Sequence, residues 1–268
     1  GESFNGNAFA GKAVEDGCAF AIIDEAQYAI EGDRRYILVN DCLQTLQQLA
    51  NYHRRQPGTR VIGITGTNGK TTTKELISAV LSQTHNILYT QGNLNNHIGL
   101  PLTLLAMRQQ HKFVVAEMGM NHFGEIANLT RIATPDVAVI TNAGCAHLEM
   151  LGSVEGVARA KGEIFEGLRA GGCAVINADD AQAELWAKLA SGFRQQTFGL
   201  RAAGISAREI EAIENGSRFI LCSPCGDRSV ELKTPGLHNV KNALAAAAAA
   251  FELGVPLLTL VRGLESYQ

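Results

Sequence analysis

Residues 61–81 read VIGITGTNGKTTTKELISAVL. The first five are β-branched apart from Gly63, the last eight carry apolar residues at helical spacing, and between them runs a glycine-bearing loop that ends in Gly69-Lys70-Thr71. A strand, such a loop and a helix together form the geometry that cradles polyphosphate. Gly66 and Gly69 let backbone N–H groups turn inward, Lys70 supplies a point charge for the outer phosphate oxygens, and Thr71 offers a hydroxyl to Mg²⁺. Thr65, Thr67, Asn68 and Thr72 complete the candidate nucleotide-binding stretch. The usual spacing GxxxxGK[ST] misses by one residue, because its first glycine falls on Ile64, between Gly63 and Gly66. ATP is the expected nucleotide, since no guanine-reading NKxD motif is visible.

Outward from this loop, short β-rich runs alternate with helical segments. Strands are predicted at 60–65, 87–90, 113–118, 136–141 and 173–177, with helices at 70–83, 99–108, 124–133 and 153–170. The alternation predicts an α/β fold whose mostly parallel sheet is flanked by helices on both faces. From residue 195 the rhythm changes, and runs at 196–198, 217–222 and 229–232 predict an antiparallel extension before a final helix pair, 238–253 and 257–264. Residues 1–57 read as a small α/β domain of their own, with strands at 18–23 and 36–39 and a helix at 41–55. In that helix Leu43, Leu46, Leu49 and Ala50 share a face and Asp41 is placed to cap it. Pro57-Gly58 then separates it from a central domain, 58–268.

Composition narrows the class. Of 268 residues, 46% are hydrophobic and 18% charged, which excludes a mainly disordered chain. A net charge of −3 leaves no global basic field for nucleic acid, so anion binding must be local. The start, GESFNGNAFAGK, lacks the basic and apolar regions of a signal peptide, and the apolar stretch 243–261 is broken by Glu252, Gly254 and Pro256, so two core helices are expected there in place of a membrane span. Six cysteines, Cys18, Cys42, Cys145, Cys173, Cys222 and Cys225, lie scattered in a chain too long to need disulfides, which fits a reducing cytoplasm. Cys222-Ser-Pro-Cys225 has no second CxxC to complete a zinc site and reads as a hairpin turn.

Several polar residues fall where open α/β sheets build their sites, at the carboxyl ends of strands. Glu117 ends the apolar run Phe113-Val-Val-Ala and is placed to hold Mg²⁺, although a helix-capping or surface carboxylate is the alternative reading. His147 follows the strand at 136–141 by a short turn, and Lys161 lies on a helix near Glu163. By themselves these would read as a structural histidine and a solvated lysine. Asn239 and Asn242, three apart at the head of an alanine-rich helix, suit an adenine edge or a ribose, whereas Asn239 alone would suit a cap. The polar loop 91–97 offers Asn95, Asn96 and His97 as donors.

The loop in the form TGTNGKTTT resembles that of the Mur ligase family, ATP-dependent amide ligases of cell-wall assembly, and four further segments match family motifs in family order. These are QGNLNNHIGLP at 91–101, AEMGMNHFGEI at 116–126, TNAGCAHLE at 141–149 with AKGEI at 160–164, and PGLHNVKNA at 235–243. The forms LNNHIGLP and EMGMNHFGEI are most similar to the branch that adds D-alanyl-D-alanine. The resemblance implies two Mg²⁺ sites, held by Thr71, Glu117, His147 and Lys161, the last often carbamylated in the family, with Lys70, Glu117, His147 and Lys161 as the catalytic set. It implies ATP contact by Asn239 and Asn242, and contact between Asn95, Asn96, His97 and a UDP-sugar peptide. The opening segment 1–9 resembles the stretch that helps hold the uridine nucleotide. The implied substrates are UDP-N-acetylmuramoyl tripeptide and D-alanyl-D-alanine, joined through an acyl phosphate with release of ADP and phosphate. Residues 1–57 would then be part of the UDP-substrate domain, 58–268 the ATP-binding domain, and a third, carboxyl-terminal domain is expected beyond Gln268. A folate-polyglutamating ligase shares the loop and the chemistry, but the LNNHIGLP segment argues against a pterin site; a nucleotide-binding module inactive without the third domain is the other alternative.

Overall fold

The computed structural model describes residues 4–55, 58–201 and 203–268. Gly1, Glu2 and Ser3 of the opening segment, and Pro57 of the expected break, lie outside them. The chain divides into two compact units, Gly1–Leu49 and Ala50–Gln268.

In the first unit, α1 (Ala10–Glu15) precedes a parallel pair of three-residue strands, β1 (Ala21–Ile23) and β2 (Tyr36–Leu38), with Ala21 opposite Tyr36. The expected first strand is thus shorter at its start. Ala10, Val14, Ala21 and Ile23 bury a small core against Tyr36. Helix α2 (Cys42–Arg54) begins here, capped as expected by Asp41, whose Oδ1 accepts from the Gln44 N–H at 2.8 Å. The boundary between units falls inside α2, because its last turns are tied to the second unit. Asn51 Nδ2 donates to Arg131 O and Ile132 O, and Ala50 is fully buried among that unit's apolar residues.

The second unit is built on one nine-stranded sheet. Its strands are β3 (Arg60–Thr65), β4 (Ile87–Tyr89), β5 (Phe113–Glu117), β6 (Val137–Ile140), β7 (Cys173–Asn177), β8 (Arg194–Gly199), β9 (Ile205–Ile213), β10 (Gly216–Ser223) and β11 (Gly226–Leu232). They lie in the order β11-β10-β9-β8-β7-β6-β3-β5-β4, and every neighbouring pair from β9 to β4 is parallel. The residues at 196–198, expected in the antiparallel extension, belong instead to β8, which pairs in parallel with β7. The antiparallel part is the meander β9-β10-β11, where β9 carries so many exposed polar residues that its sequence has no apolar run. Cys222 to Cys225 do form the β10–β11 hairpin turn, with Gly226 at φ +106°, and all six thiols are free.

Alternation along the parallel strands sorts side chains between two helical layers. Ile62, Ile64, Val115, Val137, Val139 and Val175 face α3 (Lys70–Ser82), α9 (Leu237–Glu252) and α10 (Leu257–Ser266). Val61, Val114, Ala116, Ala138, Ile140 and Ile176 face α4 (Gly99–Leu105), α5 (Glu125–Ala133), α6 (Leu148–Leu151), α7 (Val154–Gly162) and α8 (Ala183–Leu189). The helix expected over 153–170 ends at Gly162 and continues as a 3-10 turn, Glu163–Gly167. The run Ala245–Ala250 is fully buried, so the alanines serve close packing between sheet and helices. Gly263 works likewise, since a Cβ there would collide with the Val80 backbone on α3. Among the described residues no helix is long and apolar enough to cross a membrane.

Candidate active site

Strand β3 lies between β5 and β6, whose connections run to opposite sides of it, and at this reversal the carboxyl ends of the three strands leave a crevice. The loop 66–69 fills its floor. Gly69 caps α3 at φ +78° and Gly66 lies at φ +156°. Both positions also exclude a side chain for lack of room: a Cβ on Gly66 would strike Thr141 Oγ1, and one on Gly69 would strike Asn242 Oδ1. That second contact places the head of α9 against the phosphate loop. There the Asn239 amide donates back to Pro235 O at 2.8 Å, and Asn242, nearly buried, donates to Asn239 Oδ1 at 3.3 Å, so the two amides share one face beside Gly69.

Above the loop opens a cavity of about 360 Å³, lined by Thr65, Gly66, Lys70, Asn95, Asn96, His97, His147 and Lys161, with Met118 to Asn121 and Glu125 closing one wall. Thr65 is fully buried, its hydroxyl donating to Met118 O at 3.0 Å. Lys70 Nζ donates to Gly66 O at 2.8 Å and Thr67 O at 3.2 Å, curling over its own loop. Burial holds this ammonium below the ordinary lysine range, partly offset by the Glu117 carboxylate.

Glu117 is buried at the end of β5 and ties three elements together. Its Oε2 accepts from Thr71 Oγ1 at 2.9 Å, its Oε1 from Asn95 Nδ2 at 3.0 Å, and its N–H donates to the buried Thr90 hydroxyl at 2.9 Å. The surface-carboxylate alternative therefore does not describe it. A hydroxyl and a carboxylate held together at the mouth of a phosphate loop form the hard oxygen donor set that suits Mg²⁺. Among the described residues no group of three or more His, Cys, Asp or Glu is arranged to hold a metal, so any second ion would need a donor from outside that set.

His147 sits at φ +56°, a left-handed position uncommon for a side-chain residue, at the head of α6. Lys161 on α7 is only 2% exposed, and burial, reinforced by repulsion from Lys70, pushes its ammonium down to about 7. It is not the solvated lysine that its sequence context suggests. Because the folded ammonium loses its proton near 7 and the unfolded one near about 10.4, folding pays a penalty at low pH that fades as pH rises toward the unfolded value. Urea midpoints of the metal-free protein and of Lys161→Met, compared from pH 6 to 10, should therefore converge or cross as pH rises, the unsubstituted protein gaining relative stability. A difference independent of pH would contradict this burial.

The sequence-predicted residues are thus largely brought together. Thr72 stands apart, half-buried in the first turn of α3 with its side chain outside the cavity lining, and Asn68 is exposed on the loop's outer side. Three participants went unread. Thr90 had no signal beyond its place after β4, whereas Asn121, inside the AEMGMNHFGEI segment, and Asn142, inside the TNAGCAHLE segment just past β6, could have been found by the strand-end rule that singled out Glu117. In the first unit a separate cavity of about 610 Å³ is lined by Asn5, Asn7, Asp24, Glu25 and Asp41 among others, and Asn7 bridges to Asp24 through its amide at 2.7 Å.

Residues 64–250 match the Mur ligase middle domain family. The chain is 39% identical over 266 residues to UDP-N-acetylmuramoyl-tripeptide–D-alanyl-D-alanine ligase of Escherichia coli K12, covering 98% of this chain and 58% of that protein. A crystal structure of MurF from Acinetobacter baumannii superposes with a TM-score of 0.94 at 39% identity, over 100% of this chain and 58% of that one. MurF ligase from Thermotoga maritima, solved in complex with ADP, gives 0.86 at 28% identity over 97% and 61%. The chain spans somewhat more than half the length of the curated relatives it matches.

Proposed function

The chain belongs to the Mur ligase family, and on that premise we propose that it acts in an ATP-dependent ligation joining D-alanyl-D-alanine to UDP-N-acetylmuramoyl tripeptide, in the cytoplasm, as a step of peptidoglycan precursor synthesis. The observation that carries this reading is the convergence of Lys70, His147 and Lys161 on one cavity over a phosphate loop, with Glu117 joined to Thr71 at the head of α3. The named activity of the E. coli relative and the ADP bound to the T. maritima ligase support it.

In this reading the head of α3, with Gly69, Lys70, Thr71 and Thr72, receives the phosphates, and Asn239 and Asn242 meet the nucleoside beside Gly69. Asn95, Asn96 and His97 orient the tripeptide end of the acid substrate, and the first unit, through its own cavity, takes the uridine nucleotide. The terminal carboxylate attacks the γ-phosphorus, the bond to the β-bridging oxygen breaks, and ADP leaves. The neutral amine of D-alanyl-D-alanine then attacks the acyl phosphate carbonyl, phosphate departs, and the amine gives up its proton as the amide forms. Lys70 stabilises charge on the transferring group. Thr71 and Glu117 hold Mg²⁺, which when bound neutralises repulsion between carboxylate and triphosphate. His147 and Lys161 would serve a second ion. The fit of Lys161 to that duty lies in its low proton affinity: near neutral pH a good share of the amine is neutral, the form that adds CO₂ to become a carboxylate ligand.

The test is a substrate panel on the full-length protein, following ADP and phosphate. Release is expected only when ATP, Mg²⁺, the UDP-tripeptide and D-alanyl-D-alanine are all present. Equal turnover with glutamate and a folate in place of the last two would replace this reading by the folate-type alternative, and nucleotide binding without any turnover would leave a binding module.

A further inference from the structure

We propose that Asn142, two residues past β6, is a positioning residue of the phosphate loop, and that residues 141–144 form a latch deciding which loop N–H groups face the nucleotide; this rests on the nucleotide reading above. The latch is dense. Asn142 Oδ1 accepts from the Asn68 N–H at 3.0 Å while its Nδ2 donates to Asn68 O at 2.9 Å, so one side-chain amide pairs with both backbone polar groups of one loop residue. Asn142 O accepts from the Thr67 N–H at 3.0 Å, and the Gly144 N–H donates to Thr67 Oγ1 at 2.9 Å. Thr141 Oγ1 donates to Asn68 O at 2.7 Å and packs where any side chain on Gly66 would go.

The latch is itself anchored from the next strand. Asn177, buried at the end of β7, donates to Thr141 O at 2.8 Å, and Asp180 Oδ2 accepts from the Ala143 N–H at 2.9 Å.

The consequence is a division of labour among loop amides. Those of Thr67 and Asn68 are consumed by the latch. The first hydrogen bond of α3 is Thr73 N–H to Gly69 O at 2.8 Å, so the amides of Lys70, Thr71 and Thr72 precede it and point out of the helix end, where an anion binds. A loop with two glycines at positive φ has many other conformations, and holding Asn68 by both its N–H and its C=O removes them before the nucleotide arrives. The same segment runs on to His147, which lines the cavity.

Calorimetric titration of the full-length protein with ADP and with adenosine tests this. Asn142→Ala should weaken ADP binding about tenfold, the scale of losing a pair of hydrogen bonds, while adenosine binding stays the same. Thr141→Val should act in the same direction and Thr141→Ser should restore ADP binding, which keeps the test alive should Asn142→Ala fail to fold. Unchanged ADP binding in both Asn142→Ala and Thr141→Val overturns the proposal, as does an equal loss of ADP and adenosine, which would mark a general packing role. An unsubstituted protein that binds no ADP would instead overturn the nucleotide reading beneath it.

Discussion

Lys70→Ala should lower the rate of ADP formation by about 10³-fold, while the melting temperature stays close to that of the unsubstituted protein. Lys70 opens α3, lines the cavity and donates to Gly66 O and Thr67 O. Those two part-buried hydrogen bonds come from one side chain and tie only neighbouring residues of the loop, so the fold loses little when the ammonium goes. On the proposed function the reaction should lose much, because charge would move onto the oxygens of the transferring phosphoryl group beside a partly buried cation, and such a fixed cation is worth more than one in water. Since that interaction strengthens toward the transition state, kcat should fall more than KM for ATP rises. Arginine should not rescue, its planar fork differing in size and donor geometry from the compact ammonium that Lys70 places at the cavity. Coupled-assay turnover retained above a tenth of normal in Lys70→Ala would remove this residue from the machinery.

Asp136→Ala should destabilise the protein by about 3–5 kcal/mol, seen as a lower urea midpoint at unchanged slope, and should leave nucleotide affinity alone. Asp136 stands just before β6, at the end of the sheet opposite the phosphate loop. Its Oδ2 accepts from the Val61 N–H at 2.8 Å and from Arg54 Nη2 at 3.0 Å, and its Oδ1 accepts from Arg169 Nη1 at 2.8 Å. Arg54, only 4% exposed, spends its remaining donors on Ala133 O, Thr59 O and Thr134 O, which fastens the end of α2 to the second unit. Removing the carboxylate leaves a buried guanidinium and a buried N–H without their acceptor, the costly way to break such a pair. A shift below about 1 kcal/mol would mean that water reaches Arg54 in the variant.

The fold and the site differed in how far sequence could carry them. The parallel core was legible because β-branched runs alternate with helices of 3.6-residue period, and both signals are local. β9 was not, since a largely exposed strand such as Ile205–Ile213 intersperses polar residues among its apolar ones, has no apolar run, and is stabilised by partners rather than by its own pattern. α8 escaped for a related reason: seven residues with one fully buried anchor, Trp186, give no period to count. At the site, the loop 66–73 could be read because its chemistry is contiguous, glycine, lysine and threonine acting within one turn. What Asn142 binds could not be read in the same way, because its partner, Asn68, lies seventy-four positions earlier in the chain.

By itself, then, the stretch 61–81 determined a strand, a phosphate loop and a helix, and with them an α/β sheet and an anion site, since each of those rests on neighbours in sequence. Only the tertiary structure decided that Glu117 is shared by Thr71 and Asn95, that Asn242 closes on Gly69, and that Lys161 is a buried amine titrating near 7. Those facts are set by distance in space and by exclusion of water, and both come into being only when β3, β5 and β6 bring their ends together.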